Sequence, residues 1–315
     1  MTDGPVGSAR RILILAPHPD DEIVACGIAA MRAAAAGAQV SVLYLTTGVP
    51  GAAALWPWQR AGHAARVRRR GAEAREAAAL IGIDRVVRSA GVPPADAAGT
   101  AAVPRHEIPS RRLRDHLDDA ANAIAAAIDA CAAEALWVPA FEGGHQDHDA
   151  ANAVAASLSC RLPVWEFAAY NFAGGKVGAN RFPEPRGGEF TIAATPAEAE
   201  RKRRALACYA SERGNLRHVG AEREVGRPLP AHDYGRPPHG GRLSRERFHW
   251  VPFRHPRIDF APSAEIYRDI GRWASARVGR PAPALGNRPG GEAGQPDREF
   301  AGALDEAEGE GGIRR

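Results

Sequence analysis

Two short runs of histidine and carboxylate residues carry most of the chemistry this chain could perform. One is Ala16-Pro17-His18-Pro19-Asp20-Asp21-Glu22; the other is Glu142-Gly143-Gly144-His145-Gln146-Asp147-His148. Two histidines and a carboxylate, with a coordination position left open, are a common ligand set for catalytic zinc. Water on such an ion has a pKa near ~7 and is a usable nucleophile at neutral pH. A spare carboxylate beside it would take the proton, and a spare histidine would stabilise the oxyanion or protonate the leaving group. Residue types alone do not decide which of Asp20 and Asp21 is ligand and which is base. Each run also has a plain structural explanation on its own, an aspartate capping a helix or histidines packed in a core. Two such runs at two strand ends are what point to a metal hydrolase.

Both runs sit where a strand hands over to a helix. Residues 11–16 read as a strand whose apolar run, Ile12-Leu13-Ile14-Leu15, shows no alternation, as expected of a central parallel strand buried on both faces. The pattern continues with a turn at 17–21, a helix at 22–36 ended by Gly37, a strand at 39–45 and a helix at 60–80. A strand at 85–89, a loop at 91–109, a helix at 111–133 and a strand at 135–140 follow, then a helix at 149–159 and a strand at 162–169. This alternation predicts an α/β fold: a Rossmann-like, mostly parallel sheet with helices on both faces and a looser C-terminal extension. Strand carboxyl ends then share one edge of the sheet, where open α/β proteins hold ligands, so residues 18–21 and 145–148 can meet there. After residue 170 the pattern loosens, with a helix at 196–209 and a long irregular stretch at 212–248 of the kind that is usually functional or disordered. The expected organisation is one domain over 1–275, with its core at 11–215 and an irregular, pocket-forming region at 170–275. A disordered Pro/Gly-rich, acidic tail is expected at 276–315.

The paired runs resemble the signature of the PIG-L/LmbE-like family of zinc-dependent N-deacetylases, a strand followed by A-H-P-D-D-E with a later H-x-D-H. The resemblance extends over about residues 11–215. It implies that His18, Asp21 and His148 hold the metal and that Asp20 is the general base. His145 would act on the oxyanion or the leaving amine, and Asp147 would orient a histidine. Glu22 reads as a helix-start residue, at most one step removed from the metal. Two weaker matches are Arg70-Gly71-Ala72-Glu73, in which Arg70 would contact a substrate hydroxyl or phosphate, and Lys202 with Tyr209-Ala210-Ser211-Glu212, where the family has Gln in place of Glu212. The implied reaction removes an acetyl group from an N-acetylated amino sugar or sugar conjugate, with Zn2+, or another divalent ion such as Fe2+, as cofactor. One alternative is an amidase acting on a larger sugar-thiol or natural-product conjugate. Another is a non-catalytic sugar- or nucleotide-binding Rossmann-like module, against which stands the lack of a G-x-G-x-x-G after the first strand.

Composition narrows the partners. The net charge is +4, but only Lys176 and Lys202 of the 41 basic residues are lysine, and acidic residues are interspersed, which argues against nucleic acid. Cys26, Cys131, Cys160 and Cys208 form no C-x-x-C pair, and three of them are expected to be small buried hydrophobes in a reducing compartment. No stretch approaches the ~20 apolar residues of a membrane span, and no export signal is apparent. The expectation is a cytoplasmic protein acting on a small molecule, without stable membrane insertion and with homo-oligomerisation left open. Trp56 and Trp58 are expected to pack in the core or a lid, with sugar stacking as the alternative. His218, His232, His239, His249 and His255 lack ligand-like spacing and are expected on loops and the surface.

Overall fold

β1 (Arg11–Ala16) is the axis of the molecule. In the computed structural model, which describes residues 4–88, 108–251 and 260–277, this strand is flanked on both sides by parallel partners. On one side lies β2 (Gln39–Tyr44), followed by β3 (Arg85–Arg88); on the other lie β4 (Ala135–Pro139) and β5 (Val164–Phe167). Ile12 is thus paired with both Val40 and Ala135. The side chains of β1 alternate between two cores, which is why the strand is apolar from Ile12 onward. Ile12 and Ile14 pack with α1 (Asp21–Ala35), α3 (His63–Leu80) and α6 (Pro196–Cys208) on one face of the sheet. Leu13 and Leu15 pack on the other face with α4 (Leu117–Cys131), α5 (Gln146–Ser157) and α8 (Ser263–Ser275). The short α2 (Pro57–Arg60) and α7 (Arg213–Leu216) lie in connections, and β6 (Tyr170–Asn171) pairs only with β7 (Gly178–Ala179).

The sheet continues past β5 with β9 (Arg223–Pro228) and then β8 (Phe190–Ala193), so the full order is β3-β2-β1-β4-β5-β9-β8. The first five strands are parallel, and β9 runs antiparallel to both of its neighbours, β5 and β8. The order reverses between β1 and β4, and ligands in open α/β sheets bind in the crevice at such a switch point. Both histidine-carboxylate runs follow from these two strands.

Several boundaries differ from expectation for identifiable reasons. The long helix expected at 111–133 starts only at Leu117, after a turn of 3-10 helix at Leu113–His116, because Arg111 has a φ of 74° that no right-handed helix accepts. α5 begins at Gln146 rather than 149, since His145 serves as its N-cap. The irregular region contains two strands of the main sheet. In β9 the charged residues Glu224 and Arg227 point inward and are buried, which conceals the strand from a polarity pattern.

Glu224 has a structural task. α1 is broken at Cys26, whose φ of −142° is not helical. The N–H groups of Ile28 and Ala29 just beyond the break donate to the two Glu224 oxygens at 2.8 and 3.0 Å. Lys202 balances the carboxylate at 2.6 Å and also donates to the Val24 carbonyl.

Of the four cysteines only Cys26 is buried, whereas Cys131 and Cys208 are half-buried and Cys160 is exposed. No helix among the described residues is long and apolar enough to cross a membrane. Most of the expected loop at 91–109, and the expected tail from residue 278 onward, lie outside the described residues, as does His255.

Candidate active site

The parallel pairing of β1 and β4 brings the two runs side by side. His18 Nδ1 lies 3.0 Å from Asp21 Oδ2, and His148 Nε2 lies 3.0 Å from Asp21 Oδ1. The Asp21 carboxylate therefore sits between the two rings, and it also accepts the His18 N–H at 2.7 Å. His148 is fully buried; its Nε2 faces Asp21 Oδ1, and its Nδ1 has no hydrogen-bond partner among the described residues. A buried imidazole in that state is costly unless something else satisfies it. The donor atoms of His18, Asp21 and His148 all lie within 4.8 Å of one another, which accommodates a tetrahedral ion with bonds of about 2.0–2.2 Å.

His18, His145 and Asp147 form a second compact group of metal-ligating types. Its carboxylate is heavily bonded. Asp147 accepts His18 Nε2 at 2.9 Å and the N–H groups of Arg111 and Leu113 at 2.5 and 3.1 Å. His145 Nδ1 accepts the Asp147 N–H at 3.1 Å as the helix cap. Asp147 thereby fixes the His18 ring and leaves Nδ1 turned to Asp21, as in a carboxylate–histidine–metal arrangement. Both groups are compact, and the first is the set that the family resemblance implies as metal ligands.

Electrostatics separate the two adjacent aspartates. Burial pushes the Asp20 pKa up to about 6, against the pull of Arg70, whose Nη2 lies 2.9 Å from Asp20 Oδ2. Asp21 is also buried, but the His148 and His18 charges outweigh burial and hold it well below the carboxylate range. His18 is driven the opposite way: burial disfavours its charged form, yet Asp21 and Asp147 raise its pKa to about 10. Burial, reinforced by His18, keeps His145 neutral.

The surrounding contacts explain the weaker sequence matches. Arg70 is buried beneath the Asp20 side chain with its guanidinium over the Tyr209 ring at 5.3 Å, and its Nη1 lies 3.8 Å from Glu212. Glu73 accepts the Ser211 N–H at 3.1 Å, so the R-x-x-E and Y-x-S-E segments meet. Tyr209 donates its hydroxyl to Glu22, which is fully buried and accepts the Asp20 N–H at 3.1 Å. Glu22 thus helps hold the Asp20 backbone in addition to starting a helix. Gly144 allows the second run to fold back, since a Cβ there would lie 1.8 Å from the Tyr170 carbonyl oxygen.

His18, Asp20, Asp21, Arg70 and His145 line a cleft of about 940 Å³, whose walls include Leu55, Tyr170, Phe172, His218 and Arg247. Tyr170 packs edge-on against His148 at 5.4 Å and was not singled out by any sequence motif. The expected surface histidines divide. His239 is buried and donates to the Glu142 carbonyl, His232 faces the buried Glu166 at 3.0 Å, and His218 lines the cleft. Trp56 and Trp58 stack on each other at 5.3 Å with Trp58 75% exposed, so Trp58 is not a core residue.

Residues 13–159 match a family model described as PIG-L: GlcNAc-PI de-N-acetylase. The match covers just under half of the chain. No curated protein matches the chain significantly. Among solved structures, a deacetylase of the teicoplanin biosynthesis pathway is 23% identical, with 69% of this chain and 97% of that one covered at a TM-score of 0.50. An antimicrobial reagent pseudoaglycone deacetylase is 18% identical, with 71% and 99% covered at a TM-score of 0.51. These likenesses bear on the fold.

Proposed function

We propose that this chain is a metal-dependent N-deacetylase that hydrolyses the acetamide of an N-acetylated amino sugar or sugar conjugate to acetate and free amine. The observation that carries the reading is the buried cluster of His18, Asp21 and His148, whose donor atoms all lie within 4.8 Å of one another, with His18 and Asp21 lining the cleft. His18, Asp21 and His148 are the proposed ligands, and zinc the proposed ion, with Fe2+ as the alternative. When bound, the ion supplies positive charge that polarises the acyl oxygen and makes water more acidic.

The chain's own groups do the rest. Asp20, with a pKa near the operating range and a fixed partner in Arg70, takes the proton of the attacking water. The same proton, delivered to the nitrogen, lets the amine leave. His145 uses Nδ1 as an acceptor, so its proton resides on Nε2, from which it donates to the oxygen that gains charge as the carbonyl becomes tetrahedral. Asp147 keeps the His18 ring in one orientation. The test is acetate release from a panel of N-acetylglucosaminides by zinc-loaded protein, with loss on chelation and recovery on adding zinc. Protein without stoichiometric metal, and without chelator-sensitive hydrolysis across the panel, would refute the reading.

A further inference from the structure

The proposed chemistry uses one end of the cleft and leaves a group of cations unexplained. Arg217, His218 and Arg247 line the cleft together with Arg111. The Arg247 guanidinium lies 4.0 Å from the ring centre of Phe172 and 5.0 Å from that of Phe248, and its Nε donates to the Ser244 carbonyl at 3.0 Å. Stacking and one backbone bond fix the plane of the guanidinium while its two terminal nitrogens remain available, which suits recognition of a planar or tetrahedral oxyanion. Among the described residues, neither Arg217 nor Arg247 pairs with a carboxylate. Nε2 of His218 is buried and makes no hydrogen bond.

These groups are close enough to oppose one another. Burial and the nearby Arg111 charge lower the pKa of Arg247. Burial, then Arg247 and Arg217, lower that of His218. Like charges collected in a cleft raise the local concentration of anions and gain most from a bound one. Their place in the cleft is also informative. The Tyr170 ring touches His148 edge-on at 5.4 Å and His218 edge-on at 5.2 Å, so a single aromatic ring separates the candidate metal ligands from the cationic group. A hexosamine ring with its acetamide on the cleft floor could extend a charged substituent that far.

We propose that Arg217, His218 and Arg247, with Arg111, form a subsite for an anionic substituent, a phosphoryl or carboxylate group, on the amino-sugar substrate. This rests on the deacetylase reading above. Acetate release by the zinc-loaded full chain should be compared on N-acetylglucosamine, N-acetylglucosamine 6-phosphate and N-acetylmuramic acid. A charged sugar is expected to exceed the neutral one in kcat/KM by about ten- to a hundredfold at low salt, and the better of the two charged sugars identifies the substituent. In Arg247→Met and Arg217→Met that ratio should fall toward one through KM. In parallel, titration of the same proteins with inorganic phosphate should show binding weakened at least tenfold in each variant. A wild-type preference for the neutral sugar, or phosphate binding unchanged in both variants, overturns the subsite. Failure to release acetate from any sugar, with phosphate binding still dependent on Arg247, overturns the deacetylase reading and leaves the anion site standing.

Discussion

Arg70 has two candidate roles, and replacing it by methionine separates them. Its Nη2 lies 2.9 Å from Asp20 Oδ2, and both side chains are largely buried, at 3% and 11% exposure. Two unit charges roughly 4 Å apart at an effective dielectric constant near 20 interact by about 4 kcal/mol. Desolvation of the guanidinium offsets much of that, so a net effect of about 1.4–2.8 kcal/mol, or one to two pKa units, is a reasonable expectation. The sign follows from the geometry: Arg70 favours the ionised base, so its loss raises the Asp20 pKa. A base near 6 is mostly ionised at pH 7, whereas one raised by two units is mostly protonated there. The acid limb of the kcat/KM profile for Arg70→Met should therefore move up by about one to two pH units relative to wild type. Glu212, 3.8 Å from Arg70 Nη1, competes for the same guanidinium, so Glu212→Gln should move the limb slightly down. If Arg70 served only as a substrate contact, Arg70→Met would raise KM and leave the limb in place. That result would refute the argument.

The two aspartates should also differ in metal content. Asp20→Asn is expected to retain one metal per chain while kcat falls about 10²–10⁴-fold, whereas His148→Ala should lose the metal, as elemental analysis of both would show. Lys202→Met leaves the buried Glu224 without its cation and should destabilise the protein by about 3–5 kcal/mol in urea titrations. An unchanged midpoint would mean that the backbone bonds at the α1 break suffice on their own. Gly144→Ala forces a Cβ to within 1.8 Å of the Tyr170 oxygen and should cost about 1–3 kcal/mol of stability as well as activity. Thermal melting and acetate release measured on one preparation check both effects.

The two runs were legible because each follows an apolar strand and opens a helix, and parallel strands put such turns on one edge. What stayed hidden shares a physical cause, which is charge buried in pairs. Arg223–Pro228 contains Glu224, neutralised by Lys202, and Arg227, whose Nε lies 2.6 Å from Glu166. A strand of this kind shows no apolar face to a pattern based on polarity. His232 reads as a surface residue for the same reason, since its partner Glu166 lies far away in sequence. The Arg70 segment was placed on the right helix, but its contact with Asp20 depends on how α3 crosses the α1 entry, which spacing does not encode. Gly48 makes that crossing tight, with a Cβ there lying 2.7 Å from Pro19 and 3.1 Å from Arg70 Nε.

Backbone geometry fits the different tasks proposed for the neighbouring aspartates. Asp21 is the first helical residue of α1, and its carboxylate folds back over the turn to accept the His18 N–H while facing both imidazoles. Asp20 cannot follow the same course, because its φ is 136°, a conformation that costs a non-glycine residue of order 1–3 kcal/mol. The strain is held by Glu22, which accepts the Asp20 N–H, and by Ile23 and Val24, whose N–H groups donate to the Asp20 carbonyl. Its effect is to turn the Asp20 side chain to Arg70, where burial raises its pKa against the pull of Arg70 and a smaller pull from His18. Glycine would adopt this backbone at less cost but would remove the carboxylate. An aspartate kept in this conformation, with Glu22 and Arg70 both engaged in holding it, is better explained by a task for that carboxylate than by helix capping, because its side chain makes no capping hydrogen bond.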